Sequence, residues 1–144
     1  MIEQARAVRI LLVEDDDVDA MAVSRAFAKN RILNEIVRAK DGAEGLDKLA
    51  ELSGGHGAPV IVLLDLNLPK INGIQFLERL RTNPAMKGTV VFVLTTSEDD
   101  RDKAAAYDNF VAGYMVKSNV GRDFLNLMTM LDAYWRVVEF PNAD

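Results

Sequence analysis

Four kinds of side chain suited to phosphoryl chemistry recur in one kind of place, directly after a short apolar run. Glu14, Asp15, Asp16 and Asp17 follow VRILLV, Asp65 follows VIVLL, Thr95 and Thr96 end VFVLTT, and Lys117 follows GYMV. Carboxylates gathered at one edge repel each other unless a cation joins them. An oxygen-only set of this kind favours Mg²⁺, which takes one or two carboxylates together with waters and phosphate oxygens. Lys117 adds a compact positive charge and Thr95 a hydroxyl. Together they describe a site for a phosphoryl group carried on Asp65 as a mixed anhydride, its oxygens neutralised by the metal and Lys117 during in-line transfer. Each piece alone has a plainer reading. Acids after a strand usually cap a helix or sit in solvent, and Asp16 and Asp17 are assigned that role. A threonine at a strand end is a good β-former, and a lone lysine is normally solvated. The joint occurrence carries the chemistry.

For these residues to meet, the apolar runs must be neighbouring strands with their ends aligned. Val8–Val13, Glu35–Ala39, Val60–Leu64, Val90–Leu94 and Ala112–Val116 read as five strands. The first, third and fourth are almost continuously Val, Ile, Leu and Phe, as central parallel strands covered on both faces should be. Helical patterns fall between them. The first spans Asp17 to Lys29, with Ala20, Val23 and Phe27 on one face. The second follows Asp41, whose pairing with Glu44 makes a capping signal, and stops at the breaker SGGHGAP. The third begins at Asn72–Gly73 and buries Phe76, Leu77 and Leu80. The fourth starts at Ser97, followed by the acids Glu98, Asp99 and Asp100. The fifth spans about Val120–Val137, with a stripe of Phe124, Leu127, Met128, Leu131 and Trp135. Fivefold alternation predicts an α/β fold: a (βα)5 unit with a doubly wound, parallel five-stranded sheet and a short C-terminal extension. Ligands in such sheets bind outside the carboxyl ends of the strands, where the acids, Thr95 and Lys117 lie.

The chain of 144 residues is read as one domain, its core about 7–138 and its tail 139–144. The N-terminal apolar run is too short for a secretory core or a membrane span. A net charge of −5 without a basic stripe argues against nucleic acid. The absence of cysteine removes disulfides and thiolate metal sites and agrees with a cytoplasmic protein. His56, the one histidine, lies in the glycine-rich loop and is read as a surface residue, not a phosphoryl donor.

LLVEDD, LLDLNLPKING, VLTTS and GYMVKS together resemble the response-regulator receiver family, over about residues 7–138. The resemblance implies a flavodoxin-like receiver fold and a phosphoryl group passed to Asp65 from a sensor histidine kinase. It implies Mg²⁺ held by the side chains of Asp15 and Asp65 and the backbone carbonyl of Asn67, with Glu14 acting through water and holding Lys117. Thr95 and Tyr114 would turn toward the phosphorylated site. Asn67 and Ser97 stand where the family tunes the lifetime of the modified state. Two positions depart from the commonest pattern. Thr96 replaces a frequent alanine, which would narrow access to Asp65. Ser118 follows Lys117 where the family usually has a cis proline; a cis bond without proline costs about 2.5–4 kcal/mol. The bond is then either strained or trans, with the lysine placed differently.

The ending AYWRVVEFP packs Tyr134, Trp135, Val138 and Phe140 into a short stretch. One reading closes the core with Trp135 and Val138 and caps its edge with Phe140. The other makes all four a dimer interface, together with the face of the fourth helix, fifth strand and fifth helix. The ending also looks like receivers that partner bacterial and cyanobacterial phytochrome kinases. The function so read is a single-domain phosphoacceptor that is not an enzyme and signals by protein–protein contact. Two alternatives stand beside it: a phosphorylation-independent binding module, and a phosphatase with Asp65 as nucleophile. The phosphatase would need an acid/base two residues after Asp65, where Asn67 stands.

Overall fold

The structure, a computed structural model, describes residues 8–53, 59–120 and 125–140, the side chain of Leu125 excepted. Five strands, β1 (Arg9–Val13), β2 (Ile36–Ala39), β3 (Val60–Leu64), β4 (Val90–Thr95) and β5 (Gly113–Val116), form one parallel sheet in the order β2-β1-β3-β4-β5. Five helices connect or follow them: α1 (Asp17–Lys29), α2 (Gly42–Ser53), α3 (Gly73–Thr82), α4 (Asp100–Asp108) and α5 (Leu125–Val137). The expected doubly wound sheet is what forms, with the strand order of flavodoxin-like folds.

The near-continuous apolar strands are explained by two cores, one on each face. Side chains alternate across a strand, so Ile10, Leu12, Ile61, Leu63, Phe92 and Leu94 face one way and meet Ala20, Val23 and Phe27 of α1 and Leu127, Met128, Leu131 and Trp135 of α5. Leu11, Val13, Val62, Leu64, Val91 and Val93 face the other way, toward Leu49 of α2, Phe76, Leu77 and Leu80 of α3, and Ala106 of α4. Each fully buried Leu, Val, Ile or Phe contributes about 1.5–3 kcal/mol relative to exposure. A polar residue within β1 or β3 would therefore damage one core or the other.

Helix ends differ from the pattern in two places. α4 begins at Asp100 with Asp99 as its cap, not at Ser97. Ser97 is held out of the helix because its backbone N–H donates to Thr95 Oγ1 and its carbonyl accepts from Tyr114. A 3-10 turn at Lys117–Asn119 follows β5, and the described part of α5 starts at Leu125. Phe124 and His56 lie outside the described residues. Trp135 is corrected from interface candidate to core: it is 3% exposed and packs at 6.2 Å from Phe27, ring centre to ring centre. Tyr134, Val138 and Phe140 are half-buried, with Tyr134 edge-on to Phe92 at 5.0 Å and next to Phe140.

Strand register sets where the polar residues emerge. Val13 pairs with Leu64, and the next residues continue the ladder: Glu14 N–H donates to Ala39 O and Asp65 N–H to Val13 O. Thr95 pairs with Val116, which puts Lys117 one step past it. α3 then closes tightly beneath Asp65. Its cap Asn72 forms a reciprocal capping box with Gln75, and Gly73 N–H donates to Leu66 O at 2.9 Å. A Cβ on Gly73 would lie 2.5 Å from Leu66 Cα and 2.7 Å from Asp65 O. Alanine gains at most about 1 kcal/mol of helix propensity over glycine. Forcing backbone apart costs about 1–3 kcal/mol, and no side chain here can swing away to relieve it. Gly73→Ala is therefore expected to lower unfolding free energy by about 1–2 kcal/mol in urea titration, the overpacking cost exceeding the propensity gain. An unchanged midpoint would show that α3 can slide off the Asp65 backbone freely.

Candidate functional site

Lys117 is the hub. Its Nζ donates to Glu14 Oε1 at 2.7 Å, Asp19 Oδ2 at 2.7 Å and Asp65 Oδ2 at 3.1 Å. The ammonium has three protons, and all three are engaged. Its side chain is 10% exposed, with Glu14 at 3% and Asp65 at 6%, so those two ion pairs sit largely away from water, while Asp19 is 34% exposed. Burial works against a charged lysine. The hydrogen bonds to Asp19 and Glu14 and the field of Asp65 outweigh it and hold Lys117 above the usual lysine range. Burial also pushes Glu14 up to about 7, with the charge of Asp65 adding to the rise and Lys117 opposing it.

The lysine reaches this position from a trans backbone. No peptide bond among the described residues is cis, so the Lys117–Ser118 bond is trans and opens the 3-10 turn. The strained alternative does not occur, and the lysine still meets Asp65.

Asp65 is held from a second side. Its Oδ1 accepts from Thr95 Oγ1 at 2.8 Å and from Asn67 N–H at 3.0 Å. Thr95 is fully buried. From Thr95 the bonds run on: Ser97 N–H donates to Thr95 Oγ1 at 3.3 Å, and Tyr114 Oη donates to Ser97 O at 2.9 Å. Asp65 and Tyr114 are therefore ends of one hydrogen-bonded path, and burial raises the Tyr114 hydroxyl above its usual range. Thr96 is exposed at the rim, where Asn67 Nδ2 donates to its Oγ1 at 3.2 Å. That bond ties the loop after Asp65 to the loop after β4.

Glu14, Asp15 and Asp65 each bring a carboxylate oxygen within 4.8 Å of the others. An all-oxygen set of this size suits a hard divalent cation. Asp15 is exposed and so offers the side of entry. Asp16 and Asp17 lie outside this group. Asp16 caps α1 by accepting from Asp19 N–H, and Asp17 pairs on the surface with Arg38 at 2.8 Å. Arg38 Nε also donates to Glu14 O at 3.0 Å, fixing the acidic turn from β2.

Asp19 has no place in the acid run or the strand-end pattern. The sequence signal for it is its phase: third residue of a helix capped by Asp16, on the turn that faces the strand ends. A capping rule alone would send its carboxylate back to the cap. It turns instead to Lys117.

Comparison with known proteins agrees with this arrangement. The sequence profile of the response regulator receiver domain matches residues 10–129. The probable methanogenesis regulatory protein FilR2 of Methanothrix harundinacea is 37% identical over 127 residues, covering 88% of this chain and 82% of that protein. Response regulator Rcp1 of Synechocystis is 33% identical over 137 residues, covering 93% of each. Its Mn²⁺-bound structure superposes with a TM-score of 0.73 at 34% identity, over 93% of this chain and 98% of that one. The phosphorylated cyanobacterial phytochrome response regulator RcpA superposes with a TM-score of 0.76 at 31% identity, over 90% and 94% of the two chains. With Asp65, Glu14, Asp15, Thr95 and Lys117 gathered at the strand ends of this sheet, the chain belongs to the response regulator receiver family.

Proposed function

We propose that Asp65 accepts a phosphoryl group from the phosphohistidine of a sensor histidine kinase. The observation that carries this is the arrangement around its carboxylate: Thr95 and Asn67 N–H on one oxygen, Lys117 on the other. In the transfer an Asp65 oxygen forms a bond to phosphorus as the phosphorus–nitrogen bond breaks, and the electron pair leaves with the imidazole. Thr95 and Asn67 fix the carboxylate plane for in-line approach. Lys117 donates to the transferred group once Asp65 is no longer an anion. Asp15 and Asp65 by side chain and Asn67 by its carbonyl would hold Mg²⁺, with Glu14 acting through water, and the ion would supply positive charge against the phosphoryl oxygens. Thr95 turning from Asp65 toward the phosphoryl group disturbs its bond with Ser97 and, through it, Tyr114, and Tyr114 rotating inward is the change a partner reads.

The kinase is proposed to be a phytochrome of the cytoplasm, by likeness to RcpA. The phosphorylated protein acts through the surface of α4, β5 and α5 as a twofold dimer. Val137, 77% exposed beside half-buried Tyr134, Val138 and Phe140, and Tyr107, 53% exposed on α4, support an apolar contact there. Asn67 stands where a turnover phosphatase needs a proton donor, so a single modification without turnover is the outcome favoured. Among the described residues no helix is long and apolar enough to cross a membrane.

Three measurements test this. With Mg²⁺ and acetyl phosphate, intact mass should rise by one phosphoryl group, and Asp65→Asn should remain unmodified. No gain in mass would favour a phosphorylation-independent binding module, and continuous hydrolysis of phosphate esters a phosphatase. Adding Mg²⁺ should raise the melting temperature, corresponding to about 2.7 kcal/mol at a hundredfold excess over Kd, while Asp15→Asn should barely respond. Sedimentation of the acetyl-phosphate-treated protein should show a dimer that Val137→Asp dissolves; monomer alone at micromolar concentration would remove the dimer from the proposal.

A further inference from the structure

The proposed chemistry leaves one short ion pair without a role. Asp19 Oδ2 stands 2.7 Å from Lys117 Nζ, as close as Glu14 and closer than Asp65. Asp19 is not one of the three acids whose oxygens converge within 4.8 Å, so it lies on the lysine's side of the site. Its backbone is fixed, because its N–H donates to Asp16 Oδ1 in the first turn of α1. That turn also favours a negative side chain.

We infer that Asp19 is a positioning residue that acts through Lys117, and this rests on the reading of Asp65 as phosphoacceptor. A lysine ammonium on a flexible four-carbon stem held by one carboxylate can still pivot. Held by two, from β1 and from α1, it is confined to one place, and its third proton points at Asp65. When Asp65 takes a phosphoryl group, its carboxylate loses its charge and the third N–H of the ammonium is free to donate a hydrogen bond to a phosphoryl oxygen. The bonds to Glu14 and Asp19 need not break. Asp19 thus keeps the lysine ready before and after the transfer. Its own charge repels an incoming phosphoryl group, but that charge is already paired with the ammonium at 2.7 Å.

The test combines three readouts on the full chain. Labelling of Lys117 by an amine-reactive reagent, read by mass spectrometry, should be slow in the wild type and faster in Asp19→Ala. Phosphorylation by acetyl phosphate with Mg²⁺ should slow about tenfold in Asp19→Ala, the scale of one lost hydrogen bond between charged groups, and less in Asp19→Asn, whose amide oxygen still accepts. Mn²⁺ affinity, measured by electron paramagnetic resonance, should not change in either variant. Phosphorylation as fast as or faster than wild type in Asp19→Ala would overturn the inference, since the charge would then be a hindrance. So would a parallel loss of Mn²⁺ affinity, which would assign Asp19 to the cation, or unchanged labelling of Lys117. Should the wild type take up no phosphoryl group at all, the reading of Asp65 fails, and the labelling alone decides whether Asp19 anchors the lysine.

Discussion

Negative charge concentrated at the carboxyl edge of the sheet is the constraint on which the rest of the molecule depends. Glu14 and Asp65 are almost wholly buried, Asp15 is within reach of both, and Lys117 is the cation that holds them together. Burying like charges in a poorly polarisable surrounding is costly, and removing a partner from a buried pair costs more than its net worth. Burial pushes Glu14 up to about 7 even with Lys117 bonded to it. Carboxylates crowded in this way suit a hard divalent cation, which would offset the charge that Lys117 alone does not.

The two-sided sheet is what allows that charge to be held. β1 and β3 are sealed by helices on both faces, so their backbones cannot drift apart to relieve the repulsion at their ends. Gly73 brings α3 against the Asp65 backbone, and Arg38 ties the Glu14 carbonyl to β2. Repulsion is therefore stored in the arrangement of side chains and not released by movement of the strands.

Much of this was legible in the sequence because it follows from period and register. Continuous apolar runs specify strands covered on both faces, and parallel pairing without large offsets brings the residues after each run to one edge. Asp65, Glu14, Thr95 and Lys117 are placed by that logic alone. What escaped depends on side-chain direction or on competition between bonds. Asp19 is one acid among several near α1, and only its rotation about the helix axis sends it to Lys117. The first turn of α4 begins after Ser97 because Thr95 and Tyr114 claim the Ser97 backbone, a tertiary contact that no local pattern encodes. For Trp135 the sequence left core and interface both open, and its packing onto Phe27 in phase with Leu131 and Met128 decides for the core.

The two sides of Asp65 have different consequences. On the Oδ2 side the lysine is ion-paired to two further carboxylates, Glu14 just after β1 and Asp19 in the first turn of α1. On the Oδ1 side the bonds lead through Thr95 to Ser97 and Tyr114, in a loop and on a strand at the sheet's β5 edge. A change in charge at Asp65 therefore meets a stiff boundary in one direction and a chain of individually weak hydrogen bonds in the other. The bonds beyond Thr95 are neutral and contribute about 0.5–1.5 kcal/mol each, little enough to be exchanged once Thr95 turns from Asp65. In the proposed function this asymmetry directs the response toward β4, α4 and β5, the side carrying exposed Tyr107 and half-buried Tyr114. A fold that anchored both oxygens equally would hold a phosphoryl group as well but would have no preferred direction in which to report it.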